Sequence, residues 1–231
     1  IRCYRLLVTG GVYENTSVQF HDYISWIYDK ENHKSSTSYW SNYLANYQDD
    51  FRLSSREPID ENIDPVVKLE INTATTNTIA SFVKEQKTSI SHLFTLVFGI
   101  VLSKHGHVND LVVGTPSESR NNSQLQGILG DLVNVLPVRI QLDYKRTALE
   151  QLQSLGENFL KVLDHQLYPF EFILDDIGYQ RRGDEFPLFN TMICFPNNQA
   201  LGKKKEAGIE LEKTKALYDL TCSVLQFEDA I

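Results

Sequence analysis

Few residues in this 231-residue chain have the type and spacing to do chemistry. His105 and His107 flank Gly106, a spacing that metal sites use, but no cluster of carboxylates or cysteines accompanies them. A metal site needs three or four convergent ligands, so the pair reads as a solvated helix end. Asp175 and Asp176 could serve as paired acids, yet adjacent residues on a helix point apart. The G-x-S-x-G, P-loop, G-x-G-x-x-G and H-E-x-x-H signatures are all missing. The most unusual residue is Asn134, in "GILGDLVNVLPVRIQLD" (127 to 143), a neutral amide inside an apolar strand. An amide left unpaired in a core costs about 1–3 kcal/mol, so Asn134 is either paired by its neighbours or faces a wet site.

The elements that must position these residues follow from periodicity. Phe20, Tyr23, Ile24, Ile27 and Tyr28 have helical spacing, and Tyr39, Trp40, Tyr43 and Leu44 continue it in a second short helix. The polar "DDFRLSSREPIDENIDP" reads as a loop, whereas residues 1 to 17 give no clear pattern. "VVKLEI" (66 to 71) reads as a strand, and Ile79, Phe82 and Val83 mark one face of a helix. Residues 91 to 105 form a helix apolar nearly all round, hence buried between layers. "DLVVGTP" (110 to 116) is a buried strand, and "DLVNVLPVRIQL" is a second, with Pro137 arguing for an edge or a bulge. Thr147 and Glu150 have capping-box spacing and open a helix lined by Leu149, Leu152, Leu155, Phe159, Leu160 and Leu163. Pro169 suits a first helical turn, giving a short helix that ends at Gly178. Strands at 189 to 195, 209 to 214 and 220 to 227 follow with hairpin-like spacing. Helices between early strands and close spacing of the late ones predict a mixed sheet with helices packed on it, an α/β (α+β two-layer) sandwich.

Bulk properties narrow the function. A chain of this length can bury a sizeable core without staples, as one large domain or two small ones. With 22 Lys+Arg against 30 Asp+Glu and no basic stripe interleaved with aromatics, nucleic acid and anionic membranes are unfavourable partners. The apolar run "LFTLVFGIVL" (93 to 102) is too short to span a bilayer, and no signal-peptide pattern opens the chain. Cys3, Cys194 and Cys222 are odd in number and far apart, which suits a reducing, cytoplasmic setting. The start at Ile1 reads as a fragment of something longer.

Five short strings occur in order: "VQFHDYISW" (18 to 26), "DLVVGTPSESR" (110 to 120), "ILGDLVNVLPVR" (128 to 139), "HQLYPFE" (165 to 171) and "PLFNTMICF" (187 to 195). They resemble the ordered core motifs of the condensation domains of nonribosomal peptide synthetases, enzymes of secondary-metabolite biosynthesis. "YWSNYL" (39 to 44) and "YDLTCSVLQFED" (218 to 229) resemble that family too, so the likeness runs from about residue 18 to the end. The family's His-His-x-x-x-Asp-Gly signature does not occur, and no His-His pair exists in the chain. Leu167 stands where the family often has Asp, and "RRGDEFPLF" lacks the usual Ser-Arg-Asn before Pro187. "LGDLVNVLP" is closer to the peptide-forming type than to cyclization or epimerization domains.

The resemblance implies a chloramphenicol-acetyltransferase-like lobe, the C-terminal one, truncated at both ends: residues 1–50 as an N-terminal segment with linker helices and 51–231 as the lobe. It implies a tunnel between two lobes, entered by the phosphopantetheine arms of partner carrier domains, with no cofactor bound directly. The partners would be peptidyl or acyl carrier domains, an adjacent adenylation domain and the chain's own N-terminal lobe. An amine there attacks a thioester to form an amide, and holding two reactants together can supply ~7–11 kcal/mol. On this reading no catalytic residue lies in the chain, and Asn134, Gly130, Arg139, Gly114 and Arg120 line the tunnel. For Asn134 the competing role is a bond to the neighbouring strand's backbone near Pro137. Arg139 fits a strand-end salt bridge and Arg120 a structural anchor. Asp22, Tyr23 and Trp26 would pack a helix against the interlobe linker, and His165 and Gln166 would end the capped helix. Pro169, Phe170, Glu171, Pro187 and Leu188 complete the motif residues. The alternatives are a non-catalytic carrier-docking module and an acyltransferase of the same superfamily using a free acceptor.

Overall fold

A computed structural model describes residues 8–9, 18–48, 51, 53, 66–120, 123–180, 186–196 and 218–226. Two aromatic-rich helices, α1 (Phe20–Ile27) and α2 (Lys34–Tyr43), flank a 3₁₀ turn at Lys30–His33. After α3 (Thr73–Glu85) and α4 (Ile90–Gly106) comes strand β1 (Asp110–Ser117), then the one-turn α5 (Ser123–Gln126) and β2 (Asn134–Gln141). Helices α6 (Ala148–Asp164) and α7 (Phe170–Asp176) precede β3 (Thr191–Cys194) and β4 (Leu220–Ser223). The described sheet has the order β2-β1-β3-β4, with β2 antiparallel to β1 and the other neighbours parallel. Helix α4 lies against β1 and α6, and α6 against β2, so the mixed sheet carries a helical layer.

Local signals explain the long helices. Thr147 Oγ1 accepts from the Glu150 backbone N–H while the Glu150 carboxylate accepts from the Thr147 N–H at 2.7 Å, closing the capping box. Helix α4 opens on the Ser89 hydroxyl and stops at His107, whose backbone is left-handed at φ 54°. Its sequence suggested burial on every side, but Val97 and Val101 are 49% and 58% exposed, so one face is open among the described residues. The inner face is shaped by Gly99, where an added Cβ would sit 2.7 Å from the Ile140 side chain of β2. Pro169 holds the N-cap position of α7, one residue before the helix, and Gly178 follows it in left-handed backbone at φ 64°.

Strand β2 is an edge of the described sheet, one of the two outcomes for which Pro137 argued. Its register with β1 runs unbroken from Asp110↔Gln141 to Ser117↔Asn134, so there is no bulge. The Arg139 N–H donates to Tyr43 Oη on α2 at 2.8 Å, placing the outward-facing backbone groups of β2 on odd-numbered residues. By that alternation Pro137 faces outward, where a missing N–H leaves no ladder bond unmade. Val135 faces the same way, and its N–H is met by Asn134 Oδ1 at 3.0 Å. Side chains thus cover a strand edge that would otherwise invite pairing.

Two expectations need correction. Residues 66–72 join no sheet, and Val67 and Leu69 are 85% and 89% exposed. An apolar alternating run specifies a strand only where a partner edge is within reach, and none of the described strands lies beside it. The late strands do not form a hairpin: β3 and β4 pair in parallel, from Thr191↔Leu220 to Cys194↔Ser223. Close spacing in sequence does not set strand direction, because the chain between them is long enough to cross over. The expected strand at 209 to 214, and residues 1–7 and 10–17, lie outside the described residues.

Candidate functional site

Three of the motif strings, 110–120, 128–139 and 165–171, meet at one end of the β1–β2 pair. The main core, which includes Trp40, Leu111, Leu136, Ile140 and Phe159, lies under it, and a second cluster of Tyr23, Ile27, Leu125, Ile128 and Leu132 flanks it. Asn134 opens β2 there. Its amide nitrogen donates to the carbonyls of Gln166 at 2.8 Å and Tyr168 at 2.7 Å, in the turn between α6 and α7. Gln166 Oε1 accepts from the Ser117 hydroxyl at 2.5 Å, and Ser117 Oγ accepts from the Ser119 N–H at 3.4 Å. The start of β2, the end of β1 and the turn 165–168 are therefore one hydrogen-bonded unit.

This geometry gives the Asn134 side chain its partners within the chain. Both amide protons point to backbone carbonyls and Oδ1 takes the Val135 N–H, so the side chain ties the start of β2 to the turn 165–168. Its amide nitrogen does not bond the neighbouring strand near Pro137, because the two carbonyls it meets lie in a turn more than thirty residues away.

Arg120 is the anchor the sequence suggested. Its guanidinium donates to the carbonyls of Leu125, Ile128 and Gly130 at 3.1, 2.9 and 2.7 Å, holding the loop between β1 and β2. Gly130 rests on the Phe20 ring, where an added Cβ would lie 2.3 Å from Cδ2. Gly114 sits equally close to Phe189, in the buried centre of β1. Both positions are thus small because an aromatic ring fills the space.

Arg139 belongs to the far end of the strand pair. It grips Asp110 with Nε and Nη2 at 2.9 and 2.6 Å, and its Nη1 donates to the carbonyls of Tyr43 and Ala45. The paired carboxylate raises its pKa further above the ordinary value. These bonds give Arg139 the strand-end salt bridge that the sequence suggested. Burial likewise pushes the Tyr43 hydroxyl up.

The turn 165–168 also binds α2. His165 Nδ1 and Ser36 Oγ lie 2.9 Å apart, and the imidazole stacks on Tyr39 at 4.1 Å. A hydroxyl beside an imidazole is the geometry of an activated nucleophile. Here Ser36 is buried at 8% exposure and Tyr39 covers the ring, so the bond joins two elements. The Tyr168 hydroxyl contacts Thr37 and donates to Asp176, which also pairs with Lys30 at 3.2 Å. Burial first, then the Asp176 bond, pushes Tyr168 up to about 12.

The remaining motif residues shape the scaffold. Asp22 caps α1 by accepting from the Gln19 N–H at 2.9 Å, and Tyr23 is buried in the second cluster. Trp26 is 42% exposed and meets His33 edge-on at 4.8 Å. Phe170 stacks on Phe186 and touches Phe189, whereas Glu171 is exposed in the first turn of α7. Pro187 and Leu188 are buried, Leu188 in left-handed backbone at φ 71°. Among the described residues no group of His, Cys, Asp and Glu could hold a metal ion, and no helix is long and apolar enough to cross a membrane. His105 and His107 are both exposed at the end of α4.

Sequence reasoning did not single out Ser36, Thr37, Asp110 or Ser117. Each bonds a partner 29 or more residues away, which no local spacing marks.

Comparison with known proteins identifies the class. The fold is that of solved condensation domains: the X-domain from teicoplanin biosynthesis superposes with a TM-score of 0.70 at 21% identity, over 83% of this chain and 46% of that one. The first condensation domain of the CDA synthetase gives 0.59 at 14% identity, over 84% and 43%. The chain belongs to the condensation-domain family, whose family model matches residues 1–231. Relatives include surfactin synthase subunit 1 of Bacillus subtilis (strain 168), 25% identical over 93% of this chain, and bacitracin synthase 1 of Bacillus licheniformis, 26% identical over 96%. The chain spans only 6% and 4% of those synthetases, and under half of the solved domains named above.

Proposed function

We propose that this chain is the C-terminal lobe of an amide-forming condensation domain in a nonribosomal peptide synthetase. It would join a carrier-bound acyl or peptidyl donor to a carrier-bound aminoacyl acceptor. The observation that carries the proposal is that three of the family's motif strings, 110–120, 128–139 and 165–171, meet in one bonded cluster, Ser117, Asn134, Gln166 and Tyr168, in a chain matched by the family along its whole length. In this reading residues 1–50 lead through linker helices into the lobe of 51–231, in a cytoplasmic enzyme.

The chemistry divides accordingly. The chain has no His-His pair, so the amine-activating histidine is assigned to an N-terminal lobe. The reacting thioesters ride on phosphopantetheine arms of partner carrier domains beside an adenylation domain. The task of this lobe is to give a rigid wall against which two tethered reactants meet, and positioning of that kind can supply ~7–11 kcal/mol. Gly114, Arg120, Gly130, Asn134 and Arg139 act by holding that wall in shape.

The test supplies a donor acyl carrier and an aminoacyl carrier to this chain alone, and to this chain joined to a lobe bearing His-His-x-x-x-Asp-Gly. Amide product from the joined protein only is expected. Turnover by the isolated chain would overturn the division of labour, and carrier binding without turnover by the joined protein would favour a docking module.

A further inference from the structure

The helical arm formed by α1, the 3₁₀ turn and α2 is anchored by Trp40 in the main core, by Tyr43 on Arg139 and by Tyr23 and Ile27 in the second cluster, and it also meets the 165–168 turn and α7 along a seam. The contacts across the seam include Ser36 with His165, Thr37 with Tyr168, Lys30 with Asp176, and Tyr28 edge-on against Phe172 at 5.6 Å. His33 sits inside the seam. Its side chain is 5% exposed, between Trp26 at 4.8 Å on the arm and Tyr168 at 5.8 Å across the seam. One side of the ring is engaged by the Ile27 backbone, while Nε2 is buried with no hydrogen-bond partner among the described residues.

We propose that His33 is a proton-operated latch, holding the seam between the arm and the 165–168 turn closed while neutral and loosening it when Nε2 takes up a proton. A neutral imidazole can donate from one nitrogen and leave the other as a lone pair, which an aromatic cage tolerates at modest cost. The imidazolium must donate from both, and Nε2 has nothing to donate to. A buried charge without a partner is costly enough that the surroundings yield first.

The groups facing the ring do not rescue the charged form. Asp29 is the acid whose attraction registers at His33, and it is exposed. Asp176, across the seam, is already paired with Lys30 and Tyr168. Tyr168 presents a ring whose hydroxyl is engaged by Thr37 and Asp176. Lys30, Glu31 and Lys34 are exposed on the arm, the last two paired with each other. His165, beyond Ser36, has its own hydroxyl partner and the Tyr39 stack, with Asp164 beside it and Tyr43 further along α2. Burial accordingly lowers the pKa of His33 below 6.5. A depressed folded value means that the unfolded arm binds the proton more tightly. Attachment is complete above pH 6.5 and weakens as pH falls from there through the folded value.

The experiment follows Trp26 emission and amide hydrogen exchange of residues 20–44 in the full chain from pH 8 to pH 4.5. The other tryptophan, Trp40, is fully buried, so a Trp26→Phe control isolates the reporter. Quenching with a midpoint below 6.5 is expected, together with faster exchange confined to the arm. The acceleration, corrected for intrinsic rates, should be about tenfold for each pH unit by which the folded value lies below 6.5. His33→Phe keeps an aromatic ring in the cage and should abolish both responses. His33→Gln, neutral and able to hydrogen-bond, should do the same should the phenylalanine fit poorly. A midpoint at or above 6.5 overturns the proposal. So does a response that persists in both His33 variants, including one that vanishes only in His165→Phe.

Discussion

Asn134 and Gln166 are joined twice over, directly by the Asn134 amide to the Gln166 carbonyl at 2.8 Å and indirectly through β1, where Ser117 donates to Gln166 Oε1. The awkward amide of an apolar strand is therefore the bolt between β2 and the turn that starts α7. Asn134→Ala removes the donors to two carbonyls and the acceptor for Val135 N–H, and is expected to destabilise the chain by about 2 kcal/mol. Asn134→Asp keeps the acceptor but sets a carboxylate against two carbonyl oxygens, so it should be worse at neutral pH. The carbonyls raise the pKa of that carboxyl, so its deficit should shrink as pH falls through the raised value and level off near about 4, where the unfolded side chain also takes a proton. Urea unfolding at pH 7 and pH 4 checks the order, and an alanine variant as stable as the parent would return Asn134 to a substrate-facing role.

At the other end of the same strand pair, Arg139 is 9% exposed and Asp110 36% exposed. Breaking a buried pair by removing one partner typically costs about 3–5 kcal/mol, and solvent at Asp110 screens part of that. Arg139→Ala is expected near about 3 kcal/mol, since it also frees the Tyr43 and Ala45 carbonyls. Arg139→Lys keeps charge but not the two-pronged grip, and should recover less than half of the loss. A double-mutant cycle with Asp110→Asn measures the coupling, which should be well above that of an exposed pair.

These two residues show what was legible in the sequence. Helix α6 was readable because Thr147 and Glu150 cap it with groups three positions apart, and the choice of an edge or a bulge at β2 because a proline lacks an N–H wherever it sits. The partners of Asn134 and Arg139 were not, because they come from other motifs brought together only by the fold. The same limit explains residues 66–72, where an alternating apolar pattern carries no information about whether a partner strand is present. It explains β3 and β4 as well, since their close sequence spacing is compatible with either direction of pairing.

Gly114 and Gly130 offer a matched pair of substitutions with different outcomes. An added Cβ would meet an aromatic ring at 2.3 Å in both places. At Gly114 the ring is Phe189, 3% exposed and packed against Phe170, Phe186 and Tyr218, so it has nowhere to go. Gly114→Ala should cost about 1–3 kcal/mol by overpacking. At Gly130 the ring is Phe20, 37% exposed at the start of α1, and it can swing outward. Gly130→Ala should cost under about 0.5 kcal/mol. Thermal unfolding of the two variants side by side distinguishes a filled core from a movable surface ring.

Ser119 is where the chain stores removable strain. It holds φ at 51° between Ser117 and the anchor Arg120, and its hydroxyl is buried without a hydrogen-bond partner among the described residues. A non-glycine residue in left-handed backbone is disfavoured by about 1–2 kcal/mol. Burying an unpaired hydroxyl adds to that. Ser119→Gly removes both penalties but gives the unfolded chain more freedom, which takes back about 0.5–1 kcal/mol. The expected net is a gain of about 1 kcal/mol, or roughly 2–4 °C in Tm for a chain of this size. Ser119→Ala is the informative control, because it removes the hydroxyl and keeps the strained backbone. If the alanine variant gains as much as the glycine one, the penalty lies in the hydroxyl. If only glycine gains, it lies in the backbone, and the sharp turn after β1 is held by Arg120 and its three carbonyls against the preference of its own residue.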